Sequence, residues 1–224
     1  MINRQTMKTT LYIVATPIGN LGDISKRAIE TLKKVDVILA EDTRVTRKLL
    51  SHFDIHTPLK RFDSHSDPKK TLKTITDKTA ALVSDAGTPG ISDPGGRLAD
   101  AVWNSGGRVI AIPGASAVTA ALSISGFPTD KFTFLGFIPQ KKGRTKFIKK
   151  AADSELTVIF FESTHRIEKL INDLRETLDP KRKLLIAREL TKMHETIYRG
   201  TISEVASELN EKRGEFAIIL APKR

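Results

Sequence analysis

Four segments of the sequence are unusually rich in glycine, proline and charged residues. They are 16–23 (TPIGNLGD), 41–44 (EDTR), 85–96 (DAGTPGISDPGG) and 113–117 (PGASA). Glycine lets the main chain approach a ligand closely and present its N–H groups, and proline fixes the shape of a loop before the ligand arrives. One such segment is typical of a tight turn. Four in succession predict a ligand site that is lined by backbone.

Charged side chains accompany the same segments. The carboxylates are Asp23, Glu41, Asp42 and Asp85, and the cations are Arg44 and Arg47. The two arginines lie three residues apart, so a helix places them on the same side. This set forms either a structural ion-pair network or a polar active site that positions a substrate hydroxyl, and the sequence leaves both interpretations open.

Several common chemistries lack their sequence signatures. No Gly-x-Gly-x-x-Gly follows the first predicted strand, no Gly-x-x-x-x-Gly-Lys-Ser/Thr occurs, and no Gly-x-Ser-x-Gly is present to hold a nucleophilic serine. His52 and His56 are four residues apart, but Phe53 stands where a zinc protease would carry glutamate. We therefore expect no metal site.

Alternating apolar runs and amphipathic stretches surround these segments. The runs 11–15, 35–40, 80–84 and 108–112 predict strands, and 25–34, 45–53, 93–103 and 116–124 predict helices, with a further helix beginning at Asp67-Pro68. Such alternation predicts an α/β fold with a largely parallel sheet. Ligands of open α/β sheets bind beyond the carboxyl ends of the strands, which is where the four segments fall.

A change of pattern at Ser125-Gly126-Phe127-Pro128 marks the best domain boundary, so we predict domains at 1–126 and 127–224. Beyond it, strands are predicted at 132–137, 157–161, 183–187, 195–198 and 216–221. Helices are predicted between the first two strands and at 163–178. Another is predicted at 201–210, where Thr201 and Glu204 form a capping box.

The bulk composition limits the possible partners and compartments. The 224 residues include 37 Lys or Arg and 26 Asp or Glu, a formal charge of +11, and this excess favours a polyanion such as nucleic acid. No cysteine is present, the polar N-terminus has no signal-peptide pattern, and no apolar run approaches the roughly 20 residues that span a bilayer. We expect a cytoplasmic protein.

Several motifs resemble one known family. The stretches 11–23, 41–44 and 84–95, extended by 113–117, 160–166 and 187–192, are similar to the motifs of the ribosomal RNA small subunit methyltransferase I family, within the tetrapyrrole methylase superfamily (class III methyltransferases). The resemblance covers nearly the whole chain. It implies two α/β domains with S-adenosylmethionine bound between them, a homodimer, and methylation of a cytidine ribose 2′-hydroxyl in small-subunit (16S) ribosomal RNA. Many members continue beyond the strand at 214–216, whereas this sequence ends at Arg224. Whether part of the RNA surface is missing or comes from the partner subunit stays open.

The resemblance also implies which residues contact the cofactor. In the first half we expect Pro17, Asp85, Ala86, Gly87, Thr88, Ile91 and Ser116. The resemblance also implies a contact from Ala117, which follows Ser116, and contacts from Phe161 and Ala187 in the second domain.

The stretch 131–150 carries lysines and arginine without an acidic residue. We expect Lys141, Lys142 and Arg144 to form an exposed basic turn that follows RNA phosphates, and the interleaved phenylalanines at 132, 134, 137 and 147 to be core residues. Arg47, Arg166 and Lys192 are the further RNA-binding candidates. The alternative for the lysines is a solvated face without a partner.

A ribose hydroxyl is a weak nucleophile, so a base or a cation should assist methyl transfer. Asp23, Asp42 and Glu189 are the candidate bases, and Arg44, Arg166 and Lys192 are the candidate cations. Two rival functions remain: a methyltransferase for a porphyrin-like small molecule, and an RNA-binding protein without catalysis.

Overall fold

A computed structural model describes residues 9–164 and 166–223. The polar N-terminus, on which the expectation about a signal peptide depends, and His165 of the 160–166 motif lie outside the described residues. The chain divides into two compact units, Met1–Ser116 and Ala117–Arg224.

The first unit is a parallel sheet with helices on both faces. Its strands are β1 (Thr10–Val14), β2 (Val37–Ala40), β3 (Leu59–Arg61), β4 (Thr79–Val83) and β5 (Arg108–Ile112). Its helices are α1 (Lys26–Lys34), α2 (Thr43–His52), α3 (Pro68–Thr74) and α4 (Gly95–Asn104). The strand order is β3-β2-β4-β1-β5, and every neighbouring pair is parallel. This confirms the parallel sheet that the alternating pattern predicts.

Apolar side chains explain why this sheet is covered on both faces. All four residues of β2 are buried, and they divide between two clusters: Ile38 and Ala40 contribute to one, Val37 and Leu39 to the other. A strand that is apolar on both faces needs helices on both sides of the sheet. The sequence did not predict β3, which has three residues, two of them exposed.

The helices begin at polar caps. Ser25 accepts a hydrogen bond from the Ala28 amide at α1, and Asp67 accepts one from Lys69 at α3, as the Asp-Pro pattern predicts. The second Asp-Pro pair behaves differently. Pro94 occupies the cap position of α4, and Asp93 accepts hydrogen bonds from the Gly90 and Gly95 amides instead.

The second unit has a mixed sheet. Its strands are β6 (Phe132–Phe137), β7 (Thr157–Glu162), β8 (Lys183–Arg188), β9 (Thr196–Thr201) and β10 (Phe216–Leu220), in the order β6-β7-β10-β8-β9. Its helices are α5 (Ala117–Ser125), α6 (Arg144–Ala152), α7 (Ile167–Thr177) and α8 (Ile202–Glu208), the last with the predicted capping box. Only β6 and β7 are parallel among these pairs. A short loop joins β8 to β9, and such a connection permits only antiparallel pairing.

Helix α5 belongs to the second unit, although the sequence analysis assigns it to the first. Val118, Ala121 and Leu122 pack with Ile159, Leu185 and Ile219 of the second sheet. The Gly126 turn, where we placed the boundary, therefore lies inside that unit. The first unit ends at Ser116 instead.

Candidate active site

Parallel pairing brings the carboxyl ends of β1, β2, β4 and β5 to one edge of the first sheet. The four segments singled out in the sequence follow these strands directly. The expectation that they meet at one edge is confirmed, and we call this region the loop edge, defined by residues 15–23, 41–44, 84–96 and 113–116.

Backbone hydrogen bonds join the first and third loops. The Thr16 amide donates to the Gly87 carbonyl over 2.9 Å, and the Gly87 amide donates to the Thr16 carbonyl over 3.1 Å. Gly87 has φ +77°, and a side-chain carbon there would lie 3.3 Å from Ile18 Cγ2. The backbone conformation favours glycine, and an added side-chain carbon would also require Ile18 to shift by a few tenths of an ångström.

The remaining loops are tied to the third. Thr88 Oγ1 donates to the Ala115 carbonyl over 3.2 Å, and the Asp42 amide donates to Asp85 Oδ1 over 3.0 Å. A side-chain carbon on Gly114 would lie 3.0 Å from Ala15 Cβ, so the fourth loop also lies close to the first. The loop edge is one connected structure, held mainly through its backbone.

The predicted cofactor residues of the first unit all lie on the loop edge. Gly87 is buried, Pro17, Thr88 and Ser116 are half-buried, and Asp85, Ala86 and Ile91 are exposed. The surface beside Gly87 is therefore open to a ligand, because residues 85–86 and 91 are exposed.

The predicted cofactor residues of the second unit share one face of its sheet. Phe161 pairs with Ala217 on β10, and Ala217 pairs with Ala187 on β8, so the three form a row. Ala117 begins α5, which packs on the same face. Ala187 is only 1% exposed, so its side chain shapes this face more than it offers a contact surface.

Asp42 and Arg44 form a tight pair at the start of α2. Asp42 Oδ1 accepts hydrogen bonds from the Arg44 amide (2.8 Å) and Nε (3.1 Å), and Oδ2 accepts one from Nη2 (2.6 Å). The side-chain hydrogen bonds from Arg44 hold the pKa of Asp42 far below its usual range and raise that of Arg44. The Arg44 side chain is 85% exposed, so its other N–H groups face solvent.

Glu41, the preceding residue, has the opposite electrostatic character. It is half-buried, and burial raises the pKa of its carboxyl, as do the neighbouring charges of Asp85, Asp93 and Asp63. A carboxylate with a raised pKa is suited to accept a proton near neutral pH. The other two predicted residues, Asp23 and Arg47, are both exposed. Asp23 ends a single 3-10 turn (Leu21–Asp23), and Arg47 lies on α2.

Glu189 and Lys192 lie in the loop that joins β8 to β9. Glu189 Oε1 accepts hydrogen bonds from Lys192 Nζ (2.9 Å) and the Glu215 amide (2.8 Å), and Lys192 also pairs with the Glu215 carboxylate. Burial alone would raise the pKa of Glu189, but these hydrogen bonds outweigh it and lower the pKa. Glu189 also has φ +53°. This geometry is that of a structural clamp and disfavours Glu189 as a base.

The basic stretch 131–150 is only partly as predicted. Lys141 and Lys142 are exposed, but Arg144 is buried, where it pairs with Glu162 and Asp173. The expectation that Arg144 belongs to the exposed turn is wrong, because Arg144 is the first residue of α6 and its side chain turns inward. Phe132 and Phe137 are exposed rather than core residues, since β6 is an edge strand with an irregularity between Phe134 and Phe137.

Sequence reasoning missed the role of Glu162. Its spacing of four from Arg166 was the available signal, and the two side chains do form an ion pair of 2.7 Å. Within 9–164 and 166–223, no group of three or more acidic or histidine side chains is arranged to hold a metal ion. None of the helices in this same part of the chain is long and apolar enough to cross a membrane.

Comparison with known proteins identifies the family. Residues 10–206 match the family described as Tetrapyrrole (Corrin/Porphyrin) Methylases. A protein of Synechocystis sp. named Ribosomal RNA small subunit methyltransferase I is 47% identical over 218 residues, which cover 94% of this chain and 78% of that protein. The protein of the same name from Thermotoga maritima is 44% identical over 220 residues, with 95% and 98% covered.

Two solved structures have the same fold. Diphthine synthase aligns with a TM-score of 0.72 at 15% identity, covering 95% of this chain and 90% of that one. Cobalt precorrin-4 methyltransferase aligns with a TM-score of 0.70 at 17% identity, covering 99% and 98%. The chain therefore belongs to the tetrapyrrole (corrin/porphyrin) methylases, a family of methyltransferases, and its relatives in sequence are the proteins named ribosomal RNA small subunit methyltransferase I.

Proposed function

We propose that the protein transfers a methyl group from S-adenosylmethionine to the ribose 2′-hydroxyl of a cytidine in 16S ribosomal RNA, within the small ribosomal subunit. The observation that supports this proposal is the connected loop edge, in a chain 47% identical to a protein whose name states methyl transfer and small-subunit ribosomal RNA. Because the substrate is a ribosomal subunit, we place the reaction in the cytoplasm.

The residues of the loop edge fit the proposed cofactor. The molecule carries a carboxylate, which backbone N–H groups at a helix entry such as 113–117 can bind, and a sulfonium cation, which the carboxylates of Glu41 and Asp85 favour electrostatically. The exposed 85–86 backbone and the half-buried Thr88 supply further polar contacts. When bound, S-adenosylmethionine supplies an electrophilic methyl group.

The remaining groups act on the ribose hydroxyl. Asp42 orients Arg44, whose free N–H groups stabilise negative charge as it develops on the oxygen. Asp42 itself is a poor base, since its carboxylate is occupied by Arg44. Among the described residues, neither Glu41 nor Asp23 forms an ion pair of this kind, and we assign the proton acceptor to these two carboxylates, with Glu41 favoured by its raised pKa.

The basic residues bind the RNA. Lys141 and Lys142 on the exposed turn and Arg47 on α2 contact phosphates, which carry most of the affinity of such proteins and make it dependent on salt. Lys192 contributes less, because Glu189 and Glu215 already neutralise it. The working unit is a homodimer, which sedimentation equilibrium tests directly.

Methyl transfer tests the proposal. Purified protein with labelled S-adenosylmethionine should methylate small subunits from a strain that lacks this modification. Mass spectrometry of the ribosomal RNA should then place the label on one cytidine ribose. Calorimetry of cofactor binding is run in parallel. Cofactor binding without transfer to subunits or naked RNA contradicts the proposed substrate.

The family description favours one second candidate, a porphyrin-like small molecule. Such substrates carry carboxylates, which the acidic residues Glu41, Asp85, Asp93 and Asp63 would repel. Transfer to a carboxylated tetrapyrrole, and none to RNA, would decide in favour of this candidate.

A further inference from the structure

Four charged side chains of the second unit form one network around the end of β7. They are Arg144, Glu162, Arg166 and Asp173. Glu162 is the centre, and none of its side chain is exposed. Its neighbours bring two positive charges and one further negative charge, so the network as a whole is neutral.

Both carboxylate oxygens of Glu162 have partners. Oε1 forms an ion pair with Arg166 Nη2 over 2.7 Å and accepts a hydrogen bond from the Ser163 amide (2.7 Å). Oε2 accepts one from Arg144 Nη1 (3.0 Å), and Arg144 Nε in turn donates to Asp173 Oδ2 over 2.7 Å. A carboxylate with this many donors is fixed in one position.

A buried network of this kind needs an explanation other than stability. Removing charges from water costs several kcal/mol for each ion, and apolar replacements are often as stable or more so. Arg144 and Arg166 each retain a buried nitrogen, Nη2 and Nη1 respectively, without a hydrogen-bond partner among the described residues, which adds to the cost. Holding a group in a defined orientation is a benefit that an apolar cluster would not supply.

Arg166 is the arginine that reaches the surface. Its side chain is 21% exposed, against 5% for Arg144. Glu162 holds Nη2, and Ser163 Oγ accepts a hydrogen bond from Nε over 2.9 Å, so two of the three nitrogens are fixed. The third, Nη1, is buried and has no hydrogen-bond partner among the described residues, so the exposed part of the side chain lies at its other atoms. Arg166 directly precedes α7, at the carboxyl end of β7.

We propose that Glu162 is a positioning residue whose buried carboxylate holds the Arg166 guanidinium in the orientation that binds a phosphate of the substrate RNA. The inference rests on the proposed RNA substrate. A preorganised guanidinium loses little conformational entropy on binding, and its planar set of donors matches phosphate oxygens. Arg144, which is buried, and Asp173, which pairs with it, support Glu162 from the other side of the network and are not expected to contact RNA.

A double-mutant cycle tests the coupling. Binding of small-subunit ribosomal RNA, its salt dependence and the melting temperature are measured for Arg166→Ala, Glu162→Gln and the double variant. Arg166→Ala should weaken RNA binding about tenfold and reduce the salt slope by about one. Glu162→Gln should weaken binding about threefold to tenfold, and the double variant should bind no more weakly than Arg166→Ala alone, because Glu162 acts through Arg166.

Asp173→Asn is the matched control for a merely structural role. It removes a charge from the same network on the Arg144 side, so it should lower the melting temperature and leave RNA affinity within about twofold. Affinity for S-adenosylmethionine should be unchanged in all these variants. Three results would each overturn the proposal. They are additive effects in the cycle, a loss of RNA affinity in Asp173→Asn equal to that in Glu162→Gln, and weakened cofactor binding.

Arg166→Lys keeps the test decisive if Glu162→Gln does not fold. The ammonium keeps the charge but cannot engage Glu162 and Ser163 together and still present further donors in a plane. We expect RNA binding about fivefold weaker at an unchanged melting temperature, and binding equal to the unmodified protein would overturn the proposal. Absence of methyl transfer by the unmodified protein would instead refute the proposed function.

Discussion

At the scale of single residues, neighbouring carboxylates of the loop edge have opposite properties. Asp42 is paired with Arg44, which lowers its pKa, while the pKa of Glu41 is raised by burial and by Asp85, Asp93 and Asp63. The sequence showed which acidic residues gather here, but not which of them is free to take a proton. That depends on hydrogen-bond partners, which composition and spacing do not determine.

Asp42→Asn is therefore expected to impair methyl transfer without changing its pH dependence. The amide keeps the size of the side chain but cannot accept the same hydrogen bonds from the guanidinium, so Arg44 loses its orientation. Steady-state kinetics over pH 5 to 9 should show kcat reduced about tenfold to a hundredfold with an unshifted acidic limb. Loss of that limb in Asp42→Asn, with no such change in Glu41→Gln, would mean that Asp42 is the base after all.

Glu41→Gln is expected to raise stability at neutral pH. The folded state holds the pKa of Glu41 above its ordinary value, so the unfolded chain ionises first and stability falls as pH rises through the interval between the two values. Solvent screens a partly exposed group, so the gain in Tm at pH 7.5 should be small, about 2 °C, and absent near pH 4.

Glu30→Gln serves as the control for that measurement, since Glu30 is an exposed carboxylate of α1 that only approaches Lys26. Its Tm should not change at either pH. A lower Tm for Glu41→Gln at pH 7.5 would show that the Glu41 carboxylate is stabilised by partners rather than opposed by its neighbours.

At the scale of elements, the loops of the first sheet depend on Gly87. Alanine at φ +77° is strained by about 1 kcal/mol and would also press on Ile18. We expect Gly87→Ala to lower Tm and to weaken S-adenosylmethionine binding at least tenfold, measured by calorimetry. Gly106 has nearly the same φ, +76°, and none of the described residues apart from its chain neighbours comes within 4 Å of the added carbon, so Gly106→Ala should lower stability alone. Equal cofactor affinity in the two variants would remove Gly87 from the cofactor site.

The exposed turn before α6 can be tested by charge removal. Lys141/Lys142→Ala should weaken RNA binding and reduce the salt slope by about two, while cofactor affinity stays constant. Lys69/Lys70→Ala removes the same charge from α3 of the first unit and should have a much smaller effect. If both pairs change the slope equally, net charge rather than this turn determines binding.

The elements also show what sequence patterns can predict. Strands and helices with strong periodicity, such as β5 and α1, lie close to their predicted bounds. The four loops could be predicted to meet because the carboxyl ends of parallel strands lie at the same edge of a sheet. Arg144 was misjudged because a basic run looks the same whether a side chain points outward or reaches Glu162 beneath the helix. Two features could not be predicted because they depend on contacts distant in the sequence. The short strand β3 forms by pairing with β2 at Ala40, and α5 belongs to the second unit because it packs against Ile159.

At the scale of the whole molecule, the two units carry different chemical groups. The first carries a loop edge rich in backbone groups and carboxylates, and the second carries an exposed basic turn and an arginine fixed by a buried carboxylate. The 37 basic and 26 acidic residues give a formal charge of +11, which favours association with a polyanion such as RNA at long range. These properties together suit an RNA methyltransferase better than an enzyme for acidic tetrapyrroles.

The most direct test is methyl transfer to small ribosomal subunits purified from a strain without this modification, followed by mass spectrometry of the ribosomal RNA. We predict label on the ribose oxygen of one cytidine, strongly reduced in both Gly87→Ala and Asp42→Asn. Label on a base, or on no nucleotide at all while S-adenosylmethionine still binds, would contradict the proposed reaction.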